Sequence, residues 1–358
     1  KSIFLLPAFP PHFLMVKQKK MKRIFLALLF LHTHAAFSQS KQNRIDSLPA
    51  DSFYMLAPAS VRAVRADENA PFSKSNLTKK DINLLNQGVD LPSVLGSLPS
   101  VVIHSDAGNG IGYTGLRIRG TDATRINITL NGIPFNDAES QGTFFVNLPD
   151  FISSASSIQV QRGVGTSSNG AGAFGASVNI STLEREKEKY IELNNSIGSF
   201  NSRKHTLKFS TGTRKGFFIS GRLSSIQSDG FIDRARSDLK AFYVSTGYSK
   251  DSNSIIRLNI FSGKEKTYQA WYGISETDLL AGNRRINYAG TEKPGSPYEN
   301  ETDNYQQTHY QFFWEKALRT SSRLSTAFFI TRGKGYYEQY KADQKYSTYG
   351  LTPPLQNG

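Results

Sequence analysis

Few residues of this chain are spaced for covalent chemistry. Its 358 residues include no cysteine, which removes thiolate metal sites, disulfides and a Cys nucleophile. That absence says little about compartment, because exported proteins need not use disulfides. The histidines are His12, His32, His34, His104, His205 and His309, and none downstream of residue 38 has a partner at metal-binding spacing. There is no H-E-x-x-H, no P-loop and no G-x-S-x-G elbow, so no catalytic residue, metal or cofactor is expected. Two G-x-G-x-x-G matches occur, at residues 110–115 and 170–175. A dinucleotide loop must open a helix, yet strand-like Leu116-Arg-Ile-Arg and Ala176-Ser-Val-Asn-Ile follow here. These glycines therefore permit tight turns and close backbone approach. What remains are side chains suited to binding. Asn109 and Tyr113 lie in the glycine-rich stretch 106–114. Asn136, Asp137, Ser140, Gln141 and Phe144 lie in 135–147. Trp271 and Tyr272 lie in a long connection, 263–304, with Tyr268, Tyr288 and Tyr298. Aromatics there either bind a ligand or pack the loop. Asn283-Arg284-Arg285 either meets an anion or is simply solvated.

The elements that must hold these loops are short strands ending at glycines. Gly115-Leu-Arg-Ile-Arg-Gly120 alternates with period two, placing Leu116 and Ile118 on one face and Arg117 and Arg119 on the other. Asn127-Ile-Thr-Leu-Asn-Gly-Ile-Pro134 carries Asn131-Gly132, a tight-turn pair, because both tolerate positive φ. Ile158-Gln-Val-Gln-Arg-Gly163 follows, then the glycine-rich run through Gly170 and Gly175 into Ala176-Ser-Val-Asn-Ile. Between residues 77 and 102 two short helices are expected, with Thr78 and Asp90 as N-caps and Gly88 ending the first. Leu91, Val94, Leu95 and Leu98 form one apolar helix face, stopped by Pro99.

In this order and spacing, these pieces resemble the plug domain of TonB-dependent outer-membrane transporters, roughly from Leu77 to Thr182. The resemblance makes Arg117, Arg119, Gly120, Asn131, Gly132, Pro134, Arg162, Gly163, Gly170 and Gly175 a structural plug motif. Arg119 and Arg162 are expected to pair with plug or barrel-wall carboxylates. It also implies ligand contact by Asn109, Tyr113, Asn136, Asp137, Ser140, Gln141, Phe144, Trp271 and Tyr272. Just upstream, Leu56-Ala57-Pro58-Ala59-Ser60-Val61-Arg62-Ala63 sits where the family carries its TonB box. That segment pairs with the energy-transducing protein as an added strand. Its plainer reading is a linker, and Arg62 and, just beyond, Arg65 stand where the family more often has Val or Thr.

Upstream again, Met21-Lys-Arg, the apolar run from Ile24 to Leu31 and Ala36-Phe-Ser38 form a signal-peptide pattern, with cleavage expected after Ser38. The run is too short to span a bilayer. Residues 1–20 read as translated upstream sequence. The net charge of +14 falls to +8 for residues 39–358. The remaining charge is scattered, with no basic helix, which argues against a nucleic-acid partner.

From Tyr190 the texture changes. Ile191/Leu193/Ile197, Leu207/Phe209, Phe217/Ile219/Leu223, Phe242/Val244/Tyr248, Ile256/Leu258/Ile260, Tyr310/Phe312/Trp314 and Leu324/Phe328/Ile330 alternate with polar residues such as Lys208, Arg222, Arg257, Asn259, Gln311 and Glu315. That is the lipid-out, polar-in pattern of membrane strands, and the connections alternate short and long as a barrel's do. The expected fold is an α+β plug domain followed by an antiparallel transmembrane β-barrel. The family has twenty-two strands, and about seven are legible here, so the chain reads as the first part of a barrel. The expected segments are 1–38 upstream residues and signal peptide, 39–71 periplasmic segment with TonB box, 72–185 plug, and 190–358 barrel. The resemblance implies an outer-membrane receptor importing a scarce nutrient, a ferric siderophore or other iron chelate. Its partners would be a TonB-type energy-transducing protein, outer-membrane lipid and the chelate. A non-transporting surface receptor or adhesin is the alternative.

Overall fold

A computed structural model describes residues 65–67, 69–164, 174–251, 253–319 and 322–354. The expected signal peptide, residues 56–63 and Gly170 lie outside the described residues.

Strand β1, Lys74–Thr78, leads into helix α1, Lys79–Leu85. The helix starts there because Thr78 and Asp81 satisfy each other's free amides. The Asp81 amide donates to Thr78 Oγ1 at 3.4 Å, and the Thr78 amide donates to Asp81 Oδ2 at 2.9 Å. Helix α2, Leu91–Leu95, buries Leu91, Val94 and Leu95. It ends at Gly96, ahead of the expected stop at Pro99. Glycine is a poor helix former, and the Leu98 amide instead closes a turn on the Leu95 carbonyl at 2.9 Å. Leu98 thus packs on the core from the turn. Asp90 also departs from expectation, since its side chain caps nothing. It is buried and accepts from Thr114 Oγ1 at 3.2 Å, and burial pushes its pKa up to about 7.

Strands β2, Val101–Ser105, and β3, Thr114–Ile118, form an antiparallel pair. Strands β4, Ile126–Leu130, β5, Ile133–Pro134, β6, Ser157–Arg162, and β7, Ala176–Ser181, join β1 in a mixed sheet of order β1-β6-β7-β4-β5. Only β4 and β7 run parallel within it. Ile126, Ile128, Leu130, Ile158, Val160, Val178 and Ile180 alternate along these strands and close on Ile82 and Leu95 of the helices. Each such side chain contributes about 1.5–3 kcal/mol on burial. Asn131 and Gly132, at φ 62° and 83°, make the tight turn from β4 to β5.

Arg119 and Gly120 turn the chain in the same way, at φ 51° and 81°. Ile118 and Thr121 exchange both backbone hydrogen bonds across them, at 3.2 and 3.1 Å. A side chain at Gly120 would meet nothing within 4 Å, so its cost is conformational and not steric. Gly120→Val is expected to cost about 1–3 kcal/mol of folding stability, because a β-branched residue is forced to positive φ. Chemical denaturation of the variant checks this, and an unchanged midpoint would overturn the turn's role.

The rest of the chain is an antiparallel meander of seven strands in sequential order. They are β8, Lys189–Gly198, β9, Ser202–Arg214, β10, Phe217–Ser228, β11, Ser237–Asp251, β12, Ser254–Tyr268, β13, Thr302–Arg319, and β14, Ser322–Tyr337. The strand ends Arg214/Phe217, Asp251/Ser254 and Arg319/Ser322 lie at one end, and connections 199–201, 229–236 and 269–301 at the other. The outward residues are exposed, with Ile191 81%, Leu223 53% and Phe328 65% accessible, whereas Arg222, Arg257, Asn259, Gln311 and Glu315 are buried. One expected boundary shifts. Strand β12 continues to Tyr268, so the long connection is 269–301 and not 263–304. Lys264-Glu265-Lys266-Thr267 reads as a polar loop, but Glu265 and Thr267 point inward and are buried. Among the described residues β8 and β14 do not pair with each other.

Candidate functional site

The loop between β2 and β3 reaches the end of the meander that carries its longer connections. The amides of Phe231 and Ile232 donate to the Ala107 carbonyl at 2.7 and 3.2 Å. Asn109 Nδ2 donates to Ser228 Oγ at 2.6 Å and to Ser202 Oγ at 3.4 Å. Tyr113 donates its hydroxyl to Asp303. Its ring meets Trp271 edge to face at 5.6 Å, and Trp271 lies 6.5 Å from Tyr272. Gln339 Nε2 donates to the Tyr272 hydroxyl and to Gln269 Oε1, each at 3.0 Å. Three aromatic candidates from two loops thus meet, joined by Gln269, Gln339 and Asp303, which sequence reading missed. The period-two pattern of β13, carried back upstream of residue 304, would have put Asp303 on the same inner face as Gln311. Aromatic faces with amide groups beside them suit a planar, polar ligand.

The polar side chains of the second candidate loop bond within it and to its own strand, while Phe135 packs on His309 of β13 at 5.6 Å and Val146 joins the cluster of Ile111, Ile226 and Leu239 on which Tyr113 packs. Asn136 Oδ1 accepts from the Ile128 amide at 2.7 Å, and Nδ2 donates to the carbonyls of Ile126 and Gln141 at 2.9 Å. Asp137 Oδ1 accepts from the Ser140 and Glu139 amides at 2.7 and 3.1 Å. The Ser140 amide and hydroxyl hold the Asp137 carboxyl below the usual range. Ser140 and Gln141 are exposed and Phe144 is 45% accessible. No hydrogen bond or ring contact joins this loop to the Tyr113 group among the described residues. Arg285, considered for anion contact, pairs with Asp233 at 3.1 Å at the surface.

Between the α/β body and the meander runs a polar seam. Asn131 Nδ2 donates to Thr182 Oγ1 at 3.0 Å and to Gln311 Oε1 of β13 at 2.9 Å, while its Oδ1 accepts from the Thr182 amide at 2.7 Å. Asp150 adopts a left-handed conformation, φ 54°, which aims its carboxylate at β9 and β10. Lys204 Nζ lies 2.5 Å from Oδ1 and Arg222 Nη1 lies 3.9 Å from Oδ2. Thr206 and Ser224 hydroxyls donate to Oδ2 at 2.7 and 2.6 Å. Burial opposes the charge, but Arg222, Lys204 and the hydroxyl of Ser153 outweigh it and hold the pKa at about 2. Nothing in the sequence pattern marked Asp150. Its partners lie on strands whose neighbours only the folded chain reveals.

Residues 66–177 match a family model described as the TonB-dependent Receptor Plug Domain. This part of the chain is a plug. No curated protein matches the chain in sequence. Among solved structures, the ferric-catecholate import receptor Fiu from E. coli K12, open form, aligns with TM-score 0.60 at 17% identity, over 78% of this chain and 42% of that one. The ferric citrate transporter FecA in its unliganded form aligns with TM-score 0.59 at 18% identity, over 75% and 41%. The siderophore receptor PiuA from Acinetobacter baumannii gives 0.58 at 16%, over 78% and 38%. The shared fold is a plug followed by antiparallel barrel strands, and the chain spans about two fifths of the length of these structures. The polar seam is therefore the plug–wall contact, and Tyr113 stands on the plug loop between β2 and β3. Arg162 of the plug does not take the expected carboxylate. Its guanidinium donates to the Pro99 carbonyl at 2.9 Å and to the Ser73 and Ser75 hydroxyls at 3.3 and 2.5 Å. These neutral acceptors already occupy its fork. Arg119 extends beside Gly163, where an added Cβ would lie 2.8 Å from its Nη1.

Proposed function

We propose that the intact receptor lies in the bacterial outer membrane and binds a ferric siderophore or similar iron chelate on its outer side. It admits the chelate past the plug when a TonB-type protein draws on residues 56–63. Binding and transport, not catalysis, are its work. The reading rests on one observation above all. The plug apex meets the wall's long connection through Tyr113, Trp271 and Tyr272, at the end opposite the short turns. The iron assignment draws on the chelates named for the ferric-catecholate, ferric citrate and siderophore receptors that share the fold. Deleting residues 56–63 is expected to abolish uptake of a radiolabelled ferric chelate while leaving its binding to whole cells unchanged. Normal uptake after the deletion would favour a non-transporting surface receptor. In a second measurement, Trp271→Ala combined with Tyr113→Phe weakens chelate binding tenfold or more, about 1.4 kcal/mol or above, since truncated aromatic anchors carry binding energy. Unchanged affinity across catecholate and citrate chelates would move the binding site elsewhere.

A further inference from the structure

Immediately after the proposed partner-binding segment, the chain is fastened to the plug at one point. The Arg65 guanidinium donates to Ser157 Oγ at 3.0 Å, to the Ser157 carbonyl at 3.1 Å and to the Asn179 carbonyl at 2.9 Å. One side chain thus spans the neighbouring strands β6 and β7. Beside it, Gln159 holds Ala66 as a strand neighbour would. The Ala66 amide donates to Gln159 Oε1 at 2.7 Å, and Gln159 Nε2 donates to the Ala66 carbonyl at 3.1 Å. Gln159 is buried, and its amide is saturated by Asn76 Oδ1 at 2.9 Å and Gln161 Nε2 at 2.9 Å. Asn76 itself lies on β1, opposite Gln159 in the sheet register. The chain between Ala66 and β1 therefore leaves Gln159 and returns to it.

A closed loop of this kind stores slack. From Ala66 to Ser73, whose carbonyl already accepts from the Arg162 amide of β6 at 2.9 Å, seven residues extend to roughly 24 Å at about 3.4 Å each. A pull applied upstream of residue 65 would spend that length before loading β1, an edge strand that peels bond by bond. Anchoring residues 65 and 66 on the central strands removes the slack. We propose that Arg65 and Gln159 form a traction clamp, through which force on the upstream segment enters the plug directly at β6 and β7. Arg65 is a positioning residue here: it touches no ligand, and it acts on the segment that the partner draws. Its role in uptake rests on the transport reading above, whereas its mechanical role does not.

The experiment separates the two. Ser47→Cys gives a handle for single-molecule pulling on the detergent-solubilised intact receptor, these 358 residues holding no other cysteine and any cysteine outside them being replaced by serine first. With Arg65 present, the first rupture is expected at short extension. In Arg65→Ala it moves out by up to roughly 24 Å, the length of the freed loop. Hydrogen exchange supplies a second readout, with protection of the Ala66 amide lost in Arg65→Ala and partly kept in Arg65→Lys. In cells, chelate binding to Arg65→Ala stays at the wild-type level while uptake slows. If the first rupture and the Ala66 protection are both unmoved, the clamp is overturned and the transport reading stands. If the rupture shifts but deletion of residues 56–63 leaves uptake intact, the clamp holds as a mechanical feature and the transport reading fails.

Discussion

Asp150→Asn is expected to loosen the plug from the wall at a cost of about 3–5 kcal/mol, the usual penalty for removing one partner of a buried ion pair. Asp150 has no accessible side-chain surface, and the side chains of Lys204 and Arg222 are only 7% and 3% accessible. The variant therefore leaves two cations buried without a counter-charge. The hydroxyls of Thr206, Ser224 and Ser153 lose an ionised acceptor as well. Limited proteolysis and denaturant titration of the folded receptor check this. A midpoint shift below the equivalent of about 1 kcal/mol would mean that water already screens the pair. The pH dependence has a fixed sign. A carboxyl held at about 2 in the fold, against about 3.9 unfolded, stabilises the protein above pH 4. That contribution is lost as pH falls from about 4 through about 2. Asp150→Asn should therefore flatten the stability profile in that acid window and leave its shape elsewhere unchanged.

Gly263→Val attacks the same seam from the wall. A Cβ at Gly263 would lie 2.2 Å from the Asn147 carbonyl oxygen and 2.5 Å from Pro149 Cδ. Backbone and a proline ring cannot swing aside, so overpacking here costs about 1–3 kcal/mol or more. The strain falls on residues 147–150, which carry Asp150 to its cations, so the ion pair should lengthen too. The expected result is faster protease entry at the plug together with the lost stability. Leu258→Val, on the outward face of the same strand, changes volume without touching the plug and serves as the comparison. Equal behaviour of the two variants would show that the plug does not press on β12.

These effects were legible to very different degrees along the chain. The alternation of Leu223, Ile256, Tyr310 and Phe328 announced the outward face, because period two is a property of each strand alone. Arg119-Gly120 and Asn131-Gly132 announced their turns, because positive φ is a local demand that glycine and asparagine meet. The end of β12 was misread because Lys264-Glu265-Lys266-Thr267 has the composition of a loop. Burial of Glu265 and Thr267 depends on the plug standing behind them, and composition carries no trace of that neighbour. The ligand candidates divide on the same principle. Tyr113, Trp271 and Tyr272 meet at the end that carries the longer connections, while the loop from Asn136 to Phe144 folds on itself through hydrogen bonds to its own strand.

Local pattern, then, was enough for strands, turns and the resemblance to a plug, since each depends on residues close together in the chain. Contacts across the seam were not available at that level. Tyr113 reaches Asp303 across 190 residues, and Asp150 finds Thr206 across 56. Such pairs exist because seven wall strands assemble in one register and the plug then seats at one depth. Arg65 belongs to this second class. An arginine in a polar stretch looks like any solvated cation until two strand carbonyls and a serine converge on it. A buried polar group must find a partner or forfeit about 1–3 kcal/mol, and where that partner stands is a property of the assembled sheet.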